Sequence, residues 1–369
     1  MSRKLITIST IMTLMSTSVM ADVPNVAADI APIHSLVSKV MDGVGEPKLV
    51  IQSGASPHGY RLRPSEAKAL QDANLIFWMG EELTPWLEGA IDTLASNASV
   101  TALLDQEGVV LHEFREGALF EAHDHSAHDD HDDHDDHKDH DDHKDHDDHK
   151  DHDDHDDHKD HDDHDDHKDH DDHDDHKDHD NHDDHKDHDD HDDHDDHGHG
   201  AHDPHAWLSP ENAKLWLNII ASKLSVADPE NAANYFTNAA AGQAEIEDMV
   251  AEVSETLKPV QGGKFVVFHD AYQYFENDFD FYASGAISLS DASDPSPARI
   301  ARIQKRIRDE GIQCVLAEPQ FKKGLVATVM EGSEATASVI DPLGADIKPG
   351  PMLYTQLIKN MAKKIKDCL

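Results

Sequence analysis

Short apolar runs alternate with amphipathic stretches along most of this chain. Runs at 26–30, 48–53, 75–79 and 109–114 predict strands in its first third. Ile33, Leu36, Val37 and Val40 fall at helical spacing after the first run, and a second helix is predicted after Pro64-Ser65. Ser209-Pro210-Glu211 opens a helix to about Leu224, with Ser as cap and Pro in the first turn. Asp228-Pro229-Glu230 opens a longer one, to about Leu257, ended by Pro259. Its apolar stripe is Ile246, Met249, Val250, Val253 and Leu257, and Gly242 near its middle is a place for a bend. At 1.5 Å per residue it would run ~45 Å, enough to cross a two-domain protein. Strands are then predicted at 264–268, 281–286, 314–317 and 338–340, and helices at 297–310 and 351–366. Repeated strand–helix units imply an α/β protein of two lobes, each a mostly parallel sheet flanked by helices. One long helix would join the lobes, with a ligand cleft between them at the carboxyl ends of the strands.

Residues 123–202 break this pattern. Histidine stands at every third position from His125 to His197, 25 in all, and the intervening residues include 38 Asp and 7 Lys. The net of −31 is most of the chain's −46. A period of three does not match the 3.6-residue helical turn, and the tract offers no large apolar residue to bury, so a disordered, extended loop is expected. Imidazole and carboxylate both bind divalent metals. The tract is therefore expected to capture metal; a solvated repeat expanded by slippage is the plain alternative.

Residues 1–21 have the form of a signal peptide: Arg3 and Lys4, a broken apolar run, then Val19-Met20-Ala21 before the expected cut. The run is too short and too interrupted for a membrane anchor. An exported product fits a periplasmic location. In that compartment Cys314 and Cys368 are expected to form a disulfide. Two free thiols acting as soft metal ligands are the alternative, and the penultimate position of Cys368 argues against it. Setting aside the leader and the tract leaves 268 residues, enough for two ordinary domains. The expected boundaries are an N-terminal lobe at 22–228 including the loop, a linking helix at 229–258 and a C-terminal lobe at 259–369. The strong negative charge disfavours nucleic acid as a partner.

Outside the tract and its fringe, five histidines remain: His34, His58, His112, His205 and His269. His58 and His269 follow predicted strands, and His205 precedes a predicted helix. Pro57 and Pro204 stiffen the chain before two of them. Three such imidazoles suit Zn²⁺, while a loop or core histidine is the ordinary alternative for each alone. His34, on the polar side of a predicted helix, and His112, inside a predicted strand, are expected not to be ligands.

Gly54-Ala55-Ser56-Pro57-His58-Gly59-Tyr60, Asp203-Pro204-His205-Ala206-Trp207-Leu208-Ser209-Pro210 and Phe268-His269-Asp270-Ala271-Tyr272 resemble, in order, the metal-histidine motifs of the zinc-binding solute-binding proteins of ABC transporters. Ala317-Glu318-Pro319-Gln320-Phe321 and Asp341-Pro342-Leu343-Gly344 are similar to that family's C-terminal landmarks. The resemblance covers nearly the whole mature chain, and the acidic insertion falls where the family carries one. It implies a monomeric two-lobed protein that binds zinc in its cleft through His58, His205 and His269 and delivers it to an inner-membrane ABC permease. It leaves the fourth position to Asp341, to water or to another carboxylate. Asp341, Asp270 and Glu318 are also candidates to accept a hydrogen bond from a ligand histidine. A buffer or metallochaperone without a permease, and a manganese-binding member, are the alternatives. A surface adhesin is a further possibility, disfavoured by the lack of a lipid-anchor cysteine. A zinc hydrolase would need a water-activating base and a substrate pocket, and the sequence carries no H-E-x-x-H, nucleophile elbow or phosphate loop.

Overall fold

The computed structural model describes residues 23–115, 120, 202–288, 295–320 and 323–369. The leader, nearly all of the acidic tract and Phe321 of the fourth motif lie outside the described residues.

The first half builds β1 (Val26–Ala28), α1 (Ala31–Val40), β2 (Lys48–Leu49), α2 (Pro64–Gln71), β3 (Leu75–Trp78), α3 (Pro85–Leu94) and β4 (Ser99–Ala102). They form a parallel four-stranded sheet in the order β2-β1-β3-β4. After the tract come α4 (Pro210–Ala227) and α5 (Ala232–Leu257). The second half builds β5 (Phe265–His269), α6 (Gln273–Phe279), β6 (Ala286–Ser288), α7 (Pro297–Glu310), β7 (Cys314–Ala317), α8 (Lys323–Met330), β8 (Thr336–Val339) and α9 (Leu353–Cys368). Its sheet is also parallel, in the order β6-β5-β7-β8. Helices cover these sheets, so Leu75–Trp78 and Phe265–His269 are buried on both faces, and both read as unbroken apolar runs rather than alternating ones. The described residues fall within one compact unit.

The long helix lies between the two sheets in sequence and packs against α1, α4 and α9. It buries Tyr235, Ala239, Gly242, Ile246, Met249, Val253 and Leu257, a stripe at alternating steps of three and four. Its 26 residues span ~39 Å. It is shorter than expected at its start because Pro229–Asn231 forms a 3-10 turn. Gly242 is there for proximity: a Cβ would come within 2.9 Å of Leu217 Cδ1 and 3.1 Å of Lys39 Cγ. Ion pairs from Lys39 to Glu245 and from Lys359 to Glu252, each 2.5 Å, tie the helix to α1 and α9.

Several expected elements moved. No strand forms at 109–114. Its backbone is taken by other groups: Asn212 pairs with both Val110 N–H and Val110 C=O, His112 C=O accepts from Asp203 N–H, and His112 N–H donates to Tyr274 Oη. The edge strand is instead Ser99–Ala102, a polar stretch with only Thr101 fully buried, which apolar patterning does not reveal. The strand expected at 281–286 starts only at Ala286; the residues before it follow the left-handed end of α6 at Asp280, φ 50°. Helices α3, α6 and α8 were not foreseen.

Cys314 and Cys368 are joined in a disulfide across 54 positions, fastening the end of α9 to the central strand β7. Replacing both by Ala should lower unfolding stability by about 4 kcal/mol on the chain-entropy account. Urea titration of oxidised wild type against the double variant checks this; equal midpoints would show that the bond adds nothing.

Candidate metal centre

Three loop or strand-end positions bring the histidines together. His58 sits in the loop between β2 and α2, farther from its strand than expected. Its N–H donates to Ser56 Oγ, and Trp86 Nε1 donates to the Pro57 carbonyl at 2.7 Å, which pins the loop to α3. His205 precedes a 3-10 turn at Ala206–Leu208 that runs into α4, where Ser209 Oγ accepts from Asn212 N–H and Pro210 takes the first turn. His269 is the last residue of β5. One nitrogen from each ring lies within 4.8 Å of the others. The ring centroids are 4.9 Å apart for His205 and His269, 5.5 Å for His58 and His205, and 6.1 Å for His58 and His269. Nitrogens around a tetrahedral zinc at ~2.0–2.1 Å would lie about 3.3 Å apart, so small ring movements close the set on an ion.

Two of the rings are oriented by buried carboxylates. His205 Nδ1 pairs with Asp203 Oδ1 at 2.6 Å, and the His205 N–H donates to the same oxygen at 3.0 Å. His269 Nδ1 pairs with Glu318 Oε1 at 2.9 Å, while Gln320 donates to Glu318 Oε2. With Nδ1 committed, each ring presents Nε2 to a metal in a fixed orientation, an arrangement that raises its basicity. Burial lifts Asp203 to about 6, against the pull of the His205 N–H and the positive charge of Arg115.

The other sequence candidates separate clearly. Glu318 takes the acceptor role that it shared as a candidate with Asp270 and Asp341. Asp270 is bound instead to Arg115, which also reaches Glu276. Asp341 accepts N–H bonds from Leu343, Gly344 and Ala345 and so shapes its own turn. Among the described residues it is not part of the three-nitrogen group. It does lie close enough to act on Tyr272, whose phenol is pushed well above its usual range by burial and then by the charges of Glu318 and Asp341. His34 is buried rather than on a polar face, with Nε2 3.2 Å from the Pro47 carbonyl. His112 packs against Tyr274 with ring centroids 4.6 Å apart at a 46° tilt, in an irregular segment rather than a strand. Asp203 and Arg115 were the omissions. Asp203 had a local signal, a carboxylate two residues before a histidine and separated from it by proline; Arg115 had none.

The segment carrying His205 is bonded to the second half of the chain. Tyr274 Oη donates to the Asp203 carbonyl, Trp207 Nε1 to the Pro342 carbonyl, Ser209 Oγ to Asp278, and Tyr354 Oη to the Ser209 carbonyl.

Two parallel sheets, a long helix between them and three converging imidazoles define a metal-binding protein of the two-lobed solute-binding type. The chain matches the family model described as zinc-uptake complex component A, periplasmic, over residues 26–368. It is 45% identical over 344 residues to the high-affinity zinc uptake system protein ZnuA of Brucella abortus (strain 2308), covering 93% of this chain and 91% of that one. The protein of the same name from Paracoccus denitrificans (strain Pd 1222) is 41% identical, with 95% and 93% covered. The chain belongs to the zinc-uptake complex component A family. A crystal structure of ZnuA shares the fold, with a TM-score of 0.64 at 20% identity, covering 94% of this chain and 99% of that one. So does a Mn-bound periplasmic metal-binding protein from Candidatus Liberibacter asiaticus, with a TM-score of 0.62 at 16% identity and coverage of 93% and 98%.

Changing Glu318 to Gln or Asp203 to Asn should weaken zinc binding about 10- to 100-fold while leaving the fold in place. Competition against a chelator of known affinity measures it; wild-type affinity in both variants would remove the carboxylates from the site.

Proposed function

We propose that this protein captures Zn²⁺ in the periplasm and delivers it to an inner-membrane ABC permease. The observation that carries this is the convergence of His58, His205 and His269, two of them held by buried carboxylates. Zinc is cargo here, so the site must bind tightly yet keep its ligands reachable; the half-buried His58 suits that need better than the buried pair. Three imidazole nitrogens favour zinc over manganese, which takes more oxygen donors. Asp341 is the carboxylate available for the fourth position. Its bonds to three loop N–H groups favour a role in shaping the 341–345 turn beside Tyr272, with water completing the zinc shell.

The acidic tract supplies many weak imidazole and carboxylate sites, and it would raise the local zinc concentration rather than form one stronger site. The chain enters and leaves it beside His205: Glu113 and His202 form an antiparallel bridge, and Asp203 N–H donates to the His112 carbonyl. The organisation as a periplasmic monomer with a cleaved leader belongs to the same proposal. Binding and transfer is the activity that membership of the zinc-uptake family supports.

Calorimetric zinc titration should show one tight site in the mature protein. That site should persist when residues 125–197 are deleted and vanish when His58, His205 and His269 are all changed to Ala. Tight binding that disappears with the tract and survives the triple change would place the receptor in the tract. The tight site should also weaken from about pH 7.5 to about pH 5.5, because the metal needs neutral imidazole and free histidine titrates near ~6.5. Flat affinity across that range would remove histidine from the zinc shell.

A further inference from the structure

Arg115 is largely buried, with 17% of its side chain exposed, at the point where the first half of the chain runs towards the acidic tract. Its guanidinium faces two buried carboxylates of the second half. Nε donates to Asp270 Oδ1 and Oδ2 at 3.1 and 3.2 Å, and Nη2 also donates to Asp270 Oδ1. Nη1 donates to Glu276 Oε2 at 2.5 Å, and Nη2 to Glu276 Oε1 at 3.3 Å. The Phe120 ring lies 3.6 Å from the guanidinium carbon. Asp270 directly follows His269, and Glu276 sits one turn into α6, so the fork spans the tight turn between them. That turn is closed by Ala271 N–H donating to the His269 carbonyl and Glu276 N–H donating to the Tyr272 carbonyl. Arg115 is also close enough to Asp203, the partner of His205, to act on its charge.

We propose that Arg115 is a positioning residue of the metal site: its fork over Asp270 and Glu276 sets the turn that aims His269, and it stands close to Asp203, the acid that holds His205. This rests on the three-histidine assignment above. Asp270 and Glu276 are near enough to repel each other, and burial disfavours the charge on both. Without a cation bonded to both, the turn would rearrange to separate them, and His269 would lose its aim. A fork is required because one planar group serves both acids at once; an ammonium has no such geometry.

The test uses Arg115→Met, Arg115→Lys, and Arg115→Met combined with Asp270→Asn and Glu276→Gln. Zinc affinity is read by chelator competition, ligand geometry by the visible spectrum of the Co²⁺-loaded protein, and stability by thermal melting without metal. Arg115→Met should lose about tenfold in zinc affinity and lose intensity in the cobalt bands. Arg115→Lys should fall between it and wild type. The combined variant, in which the two acids bonded by Arg115 are also neutral, should recover the melting temperature but neither affinity nor spectrum. It also decides the matter if Arg115→Met fails to fold. Wild-type affinity and spectrum in Arg115→Met, or their return together with stability in the combined variant, would overturn the proposal and leave an ion pair that serves folding alone. The His58, His205 and His269 triple Ala variant is measured beside these. If it still binds zinc tightly, the site assignment fails; if it loses zinc while Arg115→Met binds as wild type, only the role of Arg115 fails.

Discussion

Asp203 and Glu318 hold the Nδ1 sides of His205 and His269, and these two buried contacts set the centre. An imidazole without such a partner rotates about two bonds and can offer either nitrogen. Pairing Nδ1 with a carboxylate selects one tautomer, fixes the ring plane and leaves Nε2 for the metal. The acids themselves are costly to bury, which is why Asp203 is lifted to about 6 and why a cation, Arg115, lies within reach. On the His205 side the order outward is ring, acid, then a nearby guanidinium.

The same segment shows how the two sheets share one site. His205 belongs by sequence to the first half, yet Asp203, Trp207 and Ser209 bond to Tyr274, Pro342, Asp278 and Tyr354 of the second. Tyr354 N–H in turn donates to Ser35 Oγ on α1. His205 and His269 thus stand on a common framework, while His58 comes from a loop secured within the first half by Trp86. Two of the three histidines are held by buried carboxylates, and the third is half-buried.

Much of this was legible from residue order. Buried parallel strands such as Leu75–Trp78 and Phe265–His269 announce themselves as apolar runs, and the stripe of α5 as steps of three and four. The three histidines stood out because proline and strand ends surround them. What was not legible depends on contacts distant in sequence. The 109–114 segment has strand composition, but Asn212, Asp203 and Tyr274 claim its backbone. Ser99–Ala102 is a strand only because β3 offers it an edge. Arg115 lies 155 positions from Asp270, and no local pattern marks it. That Asp341 accepts the amides of its own turn likewise shows only in the folded chain.

X-ray absorption at the zinc edge, on protein lacking residues 125–197 and loaded with one equivalent of zinc, tests the central claim most directly. Three imidazole nitrogens at ~2.0–2.1 Å, with the outer-ring scattering that marks histidine, are the result this account predicts. A shell made mainly of oxygen, or one with fewer than three imidazoles, would contradict it.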